Sequence, residues 1–187
     1  MSETRSIGDA PEEGWRQRGS RRGQQAAAAL IDDAALAATR LAIGRTLLAA
    51  TPDIEKDESL FAVAGHLNEG DALVADRAER DRYAALALAA GRRAMAAAAY
   101  APAARYLAAG VAFLGDDGWA RSYELMLALH SLAAQANQLA GDLDAMERAA
   151  GEVLSRARGL LDKLDAYEAR ILSRYATPGK VEEGLEI

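Results

Sequence analysis

Apolar residues recur at every third or fourth position along most of the chain beyond residue 75, which is the period of an amphipathic α-helix. The pattern predicts helices over residues 76–99, 101–114, 123–140, 143–157 and 160–175. No window alternates apolar and polar residues as a half-buried strand does. We therefore expect an all-α fold class of about eight helices, three of them in the N-terminal part.

The pattern before residue 76 predicts shorter elements. Residues 24–31 form a short helix, and Asp32-Asp33 can cap a longer one over 34–50 because carboxylates accept free backbone N–H groups. Pro52 ends this helix, and another follows over 60–67. The apolar faces expected to enter the core are Leu36, Ile43 and Leu47, flanked by Leu41 and Leu48, and in the last helix Leu164, Tyr167, Ile171 and Tyr175.

Composition along the chain divides it into three parts. Residues 1–23 are polar and mixed in charge, which predicts a disordered lead. Its second half places Trp15 among arginines, which suits either a phosphate- or membrane-contacting arm or, more simply, a solvated tail. Residues 24–75 form an N-terminal helical segment, and residues 76–187 carry the strongest helical periodicity.

Overall composition narrows the classes of function. Alanine makes up about a quarter of the chain and aromatic residues 5%, so the core depends on close helix–helix approach. A net charge of −6 argues against nucleic acid as the main partner. The chain has no cysteine and no apolar run near the ~18 uncharged residues that span a bilayer. We therefore expect a cytoplasmic protein with no membrane partner and no cofactor.

A helix–turn–helix motif recurs over residues 90–114, 133–154 and 171–187. Tetratricopeptide-type repeats place small residues where two antiparallel helices touch. The matching positions are Gly91 and Ala134 in the first helices, Ala99, Asp142 and Lys180 at the turns, and Ala103, Met146 and Gly184 in the second helices. The turns are 43 and then 38 residues apart instead of about 34, and an insertion around 115–122 lengthens the first interval.

This motif predicts antiparallel helical hairpins stacked as a divergent, right-handed tetratricopeptide-like array over residues 76–187. A generic alanine-rich helical bundle is the alternative. The third copy stops within its second helix. We expect residues 181–187 either to fray or to pack on another copy of the chain, which would give a homodimer through the C-terminal hairpin.

A series of short motifs also recurs, in order and at compatible spacing, in a known family. They are His66-Leu67-Asn68, Gly91-Arg92-Arg93-Ala94, Tyr106-Leu107, Gly110, the stretch 117–125 and Ala140-Gly141-Asp142. With them the chain resembles the helical region behind the predicted AAA-type ATPase module of large bacterial signalling proteins. Those proteins often join a Ser/Thr-kinase-like domain, this ATPase, the helical repeats, a GAF sensor and a histidine kinase. The resemblance covers about residues 22–187, and residues 22–27 look like the end of the ATPase's C-terminal lobe.

The resemblance implies a neighbour of a signalling ATPase rather than the ATPase itself. The chain contains no G-x-x-x-x-G-K-[ST] phosphate cradle. It also contains no kinase glycine-rich loop, no H-R-D and no D-F-G. We therefore expect a chain that is not an enzyme and has no catalytic residue.

Three side chains are candidates for partner binding. Arg92 and Arg93 could line a groove for an acidic peptide, although a solvated surface pair is the simpler interpretation. Trp119 follows the inserted turn and either anchors that loop or faces a partner. His66 and His130 have no further ligands at a spacing that suits zinc, so we predict no metal site.

These observations favour a non-catalytic interaction module. Stacked hairpins form a groove that can dock a protein segment or relay a conformational change to a neighbouring signalling domain. The first alternative is a sensor that holds a small molecule between the N-terminal helices and the repeats. The second is an inactive, truncated remnant of a signalling protein.

Overall fold

The computed structural model describes residues 33–176. The predicted disordered lead, the helix over 24–31, the turn at Lys180, Gly184 and the segment 181–187 lie outside the described residues. Between residues 33 and 176 all regular structure is helical, with no strand, so the all-α fold class is confirmed. The eight α-helices there are α1 (33–50), α2 (Leu60–Asn68), α3 (Arg77–Ala96), α4 (Tyr100–Leu114), α5 (Gly118–Arg121), α6 (Tyr123–Ala140), α7 (Leu143–Arg156) and α8 (Leu164–Ala176).

The chain forms two compact units, Met1–Thr39 and Arg40–Ile187. The described part of the first unit, residues 33–39, is helical and belongs to α1. Asp33 lies within this helix, and Asp32, the other predicted capping residue, lies outside the described residues. The rest of this description concerns the second unit.

The helices of the second unit stack as hairpins. α3 packs against α4, and α6 packs against both of them. α7 packs against α6, and α8 in turn packs against both α6 and α7. α6 and α8 therefore each pack against both helices of the hairpin that precedes them. The right-handed tetratricopeptide geometry stays a prediction.

Local chemistry explains where these helices begin and end. The Asp76 carboxylate accepts a hydrogen bond from the Glu79 backbone N–H at 2.8 Å and so caps α3. The Arg80 guanidinium donates to the carbonyls of Phe113 (2.6 Å) and Ala112 (2.7 Å), which lie in the last turn of α4. Because those carbonyls have no partner within their own helix, this arginine joins the start of α3 to the end of α4.

Small residues set the spacing of the helices, as predicted. A Cβ atom added to Gly91 would lie 2.6 Å from Cδ2 of Leu107, so α3 and α4 touch there. A Cβ atom on Gly110 would lie 2.6 Å from Cδ2 of Leu129, which brings α4 against α6. The other predicted small positions within the described residues are also buried: Ala134, Ala103 and Met146.

The predicted core face of α8 is wrong. The residues that α8 buries are small ones, Ala166, Ala169 and Ser173. The large apolar residues of the expected face lie on the opposite side and are exposed: Leu164 by 61%, Tyr167 by 45% and Ile171 by 54%. Small side chains let α8 approach α6 and α7 closely, and the larger face is left outside.

The prediction for α1 is right for Leu41 and Leu48 and wrong for Ile43. Leu41, Gly44 and Leu48 are buried, whereas the predicted core residue Ile43 is exposed. A Cβ atom on Gly44 would lie 2.8 Å from Cδ2 of Leu67, so the glycine marks where α1 meets α2. In α8 the face with the smaller residues packs, whereas α1 packs two leucines on either side of a glycine.

Candidate functional site

An open groove of about 380 Å³ follows one face of α6. This face contributes six residues, α3 contributes one, and three come from the 3-10 turn Leu161–Lys163 and the start of α8. The groove is thus lined by α3, α6 and the start of α8. Its lining residues are Arg92, Glu124, Leu127, Ala128, Ser131, Leu132, Gln135, Leu161, Asp162 and Asp165.

The sequence of α6 explains the groove because one face of the helix packs in the core and a second face lines the groove. Met126, Leu129 and Ala136 are buried in the core. The second face repeats at steps of three and four through Leu127, Ala128, Ser131 and Leu132, and it lines the groove. Except for Ser131, which is 6% exposed, these groove residues are only half-buried. The groove therefore has an apolar base that remains partly open to water.

Three of the four charged side chains in the groove are carboxylates. The hydroxyl of Tyr123 donates a hydrogen bond of 2.6 Å to Oδ2 of Asp162, and the Gly159 backbone N–H donates to the same oxygen at 3.1 Å. Among the described residues, Glu124 and Asp165 form neither an ion pair nor a side-chain hydrogen bond. The groove is consequently acidic, with carboxylates that are free to meet a ligand.

A buried tyrosine holds the acidic side of the groove in place. The Tyr123 hydroxyl also accepts a hydrogen bond of 2.8 Å from the Arg158 backbone N–H, and the Arg158 guanidinium lies 3.9 Å from the centroid of the tyrosine ring. Burial, followed by the hydrogen bond to Asp162, raises the pKa of Tyr123. These contacts tie α6 to the segment between α7 and α8.

The two predicted binding arginines have different roles. Arg92 is exposed and lines the groove. The Arg93 guanidinium instead donates to the Asp57 carbonyl at 2.5 Å and lies 5.6 Å from the centroid of the Phe61 ring. Arg93 thus joins α3 to α2 and its preceding loop, and of the two arginines only Arg92 lines the groove.

Of the two alternatives for Trp119, the structure fits the one in which it anchors the inserted segment. Its side chain is 8% exposed and stacks on His130 with ring centroids 5.4 Å apart and planes 12° from parallel. It also contacts the Tyr123 ring at 5.8 Å. Trp119 therefore anchors the inserted helix α5 to α6.

The buried position of His130 beside Trp119 also changes its pKa. Burial lowers the pKa of His130; nearby Arg156 adds to this effect and Glu152 opposes it. His130 is therefore neutral when folded at neutral pH. Among the residues that the structure describes, no cluster of His, Cys, Asp and Glu could hold a metal ion.

A second open cavity, of about 320 Å³, lies where a ligand sensor would bind. It is formed by the loop at 52–56 and the α3 residues Arg82, Ala85 and Leu86. Asp53, Glu55 and Lys56 also line it, so it is a charged surface depression rather than an enclosed apolar pocket. No helix between residues 33 and 176 is long and apolar enough to cross a membrane.

The acidic carboxylates were not predicted. A signal was present, because Glu124, Leu127, Ala128 and Ser131 share a face at helical spacing, but the same periodicity describes the core face of α6.

No protein-family model, no curated protein and no solved structure matches the chain.

Proposed function

We propose that this chain is a non-catalytic helical-repeat module, similar to a tetratricopeptide array, that docks a segment of another protein. The observation that carries the proposal is the groove, in which half-buried apolar residues of α6 lie beside charged residues that α3, α6 and α8 contribute. An apolar base with a charged rim is the composition of peptide-binding helical grooves.

The family resemblance supports a more specific role. It rests on the motifs between His66 and Asp142 and implies a module beside an ATPase in a bacterial signalling protein. In that position a docked segment would pass a conformational change to the neighbouring domain. The absence of cysteine from the chain supports a cytoplasmic site of action.

A selection experiment tests the docking function. A displayed peptide library is selected on the full chain, and binding of the selected peptides is measured with Ala128→Arg, which fills the groove, and with Leu139→Arg. Leu139 is exposed on α6 and does not line the groove, so it is the matched control. We expect at least a tenfold loss of affinity with Ala128→Arg and little change with Leu139→Arg. Peptides that bind both variants as tightly as the wild type would refute the proposal.

A second proposal concerns assembly, and the exposed face of α8 carries it. Leu164, Tyr167 and Ile171 are exposed at successive spacings of three and four residues, and Leu160, also exposed, lies just before the 3-10 turn that leads into α8. This is the heptad spacing with which two like helices interlock, so the strip is complementary to itself. We propose that two copies of the chain pair through it, in a two-fold arrangement that uses the same patch on both.

Light scattering and sedimentation across a range of concentrations test this pairing. We expect a dimer for the wild type, a monomer for Ile171→Glu, and a dimer for Leu139→Glu, which places the same charge on an exposed leucine outside the strip. Circular dichroism confirms that each variant is folded. A wild-type chain that stays monomeric at the highest concentration would disprove the pairing.

A further inference from the structure

The charge balance of the groove indicates which protein segments it accepts. Its rim carries the carboxylates of Glu124, Asp162 and Asp165 against the single guanidinium of Arg92. Elsewhere in the described chain, several carboxylates are neutralised by arginine, as in the pairs Glu69–Arg40, Glu79–Arg45 and Glu147–Arg170. The groove carboxylates have no such cation, so their charge is available to a ligand.

A serine in the base of the groove offers a hydrogen-bonding group to a docked segment. Ser131 lines the groove at 6% exposure. Within residues 33–176 its hydroxyl makes no hydrogen bond. Its oxygen is not among the buried side-chain atoms that lack a partner, so the hydroxyl stays open to the groove and can hydrogen-bond to a backbone group of a docked segment.

The apolar part of the groove sets a second requirement. Leu127, Ala128 and Leu132 form the base, and Leu161, which is 84% exposed, stands at the edge beside Asp162. A leucine this exposed gains most when a ligand covers it. A suitable ligand therefore carries an apolar anchor together with positive charge.

We propose that the groove binds a protein segment in which lysine or arginine residues flank an apolar anchor. The proposal rests on the docking function above and specifies the partner's chemistry. The anchor covers Leu127, Leu132 and Leu161, and the cations pair with Glu124 and Asp165. An acidic segment would meet three like charges and one opposite charge, so the groove selects against it.

Two synthetic peptides test the proposal by fluorescence anisotropy on the full chain. They share their apolar residues, and the flanking positions are lysine in one and glutamate in the other. We expect the lysine peptide to bind at least tenfold more tightly. Its affinity should fall several-fold between 50 and 300 mM salt, because exposed ion pairs are screened. Equal binding of the two peptides, or a preference for the glutamate peptide, would overturn the proposed chemistry.

Charge-removing variants locate the effect. Glu124→Gln and Asp165→Asn should each weaken the lysine peptide severalfold, whereas Glu168→Gln, on the exposed surface of α8 outside the groove, should not. The double variant Glu124→Lys/Asp165→Lys should shift the preference toward the glutamate peptide. An equal loss with Glu168→Gln would show that only net charge matters and would refute the site.

The library selection separates the two levels of the proposal. If selected peptides are lost with Ala128→Arg but contain no basic residues, docking stands and the basic chemistry fails. If neither synthetic peptide binds and no selected peptide depends on Ala128, both fail.

Discussion

The two complete hairpins, α3–α4 and α6–α7, make the same turn with different residues. In the first, Ala98 has φ of 54°, the Ala99 N–H donates to the Ala94 carbonyl at 2.9 Å, and the Ala98 N–H donates to Met95 at 3.0 Å. In the second, Gly141 has φ of 81°, and the same two bonds join Asp142 to Asn137 (2.9 Å) and Gly141 to Gln138 (3.2 Å). Both are Schellman turns, and their positions are 43 residues apart.

The next residue of each turn continues the equivalence. Ala99 has φ −89° and ψ 65°, and Asp142 has φ −88° and ψ 82°. The Asp142 carboxylate accepts a bond of 3.0 Å from the Ala145 N–H, whereas Ala99 can accept none. The residue equivalent to Ala145 is Pro102, which has no N–H to satisfy. The second hairpin caps this N–H with a carboxylate, and the first hairpin has no N–H at that position.

The two turns have the same backbone conformation, but only the second has residues that favour this conformation by themselves. In the second hairpin, Gly141 and Asp142 favour the turn on their own. In the first, Ala98 holds a left-handed conformation that costs alanine about 1 kcal/mol. Packing of α3 on α4 must impose it. The following variants test this difference, from the largest expected effect to the smallest.

The largest effect should come from the contact that sets the first hairpin. Leu107 is fully buried against Gly91, whereas the equivalent pair in the second hairpin is Ala150 and Ala134. Leu107→Ala should lower the free energy of unfolding by about 2–5 kcal/mol because it leaves a cavity. Urea unfolding measures this, with the exposed Leu139→Ala as control, for which we expect less than about 1 kcal/mol.

Adding Gly91→Ala reveals whether the two hairpins are interchangeable. In the wild type it should cost about 1–3 kcal/mol, because its Cβ meets Leu107. With Leu107→Ala it should instead stabilise, since the space is free and alanine is the better helix former by about 1 kcal/mol. A double-mutant cycle measures the coupling. Additive effects would mean that these residues do not set the helix spacing.

Substitutions at Ala98 and Gly141, the two residues with positive φ, should change stability in opposite directions. Ala98→Gly should stabilise the chain and Gly141→Ala should destabilise it, each by about 1 kcal/mol, because only glycine adopts positive φ without strain. Thermal unfolding should show shifts of about 2–4 °C. Ala97→Gly, at a position with φ of −88°, is the control and should give no gain. A loss of stability in Ala98→Gly would contradict the shared geometry.

Substitutions at the two capping positions should change stability in opposite directions and by different amounts. Asp142→Ala should cost about 1 kcal/mol because it frees the Ala145 N–H. Ala99→Asp should gain less than about 0.5 kcal/mol, since Pro102 offers no donor at the equivalent place. In a Pro102→Ala background the same Ala99→Asp change should gain more, and unfolding in urea compares the two. Equal gains with and without Pro102 would rule out the donor-removal explanation.

The smallest effect should be a pH dependence confined to the second hairpin. The position of His130 corresponds to Ala87 in the first. Because burial lowers the folded pKa of His130, the unfolded chain binds the proton more readily, and stability is lost as pH falls below about 6.5. His130→Phe retains a ring against Trp119 and should flatten this dependence between pH 7.5 and 5.5. An unchanged pH profile in His130→Phe would assign the dependence to other groups.

Much of the helix pattern could be predicted. The limits of α6 match the prediction at both ends, because Gly141 stops it and Asp142 starts the next helix. The equivalence of Ala99 with Asp142 was also predicted, from spacing alone. Of the three predicted binding residues, only Arg92 lines the candidate groove, since Arg93 and Trp119 make contacts within the fold.

The sequence by itself determined the all-α class, the ends of most helices and the 43-residue equivalence of the hairpins, because caps, glycines and helical period act through neighbours along the chain. Only the tertiary structure decided which face of each helix packs. α8 has two apolar faces, and periodicity cannot rank Ala166 and Ala169 against Leu164 and Ile171. The smaller face packs because it lets the helix axes approach, and this choice leaves the larger face outside and brings Asp162 and Asp165 beside α6 to complete the groove.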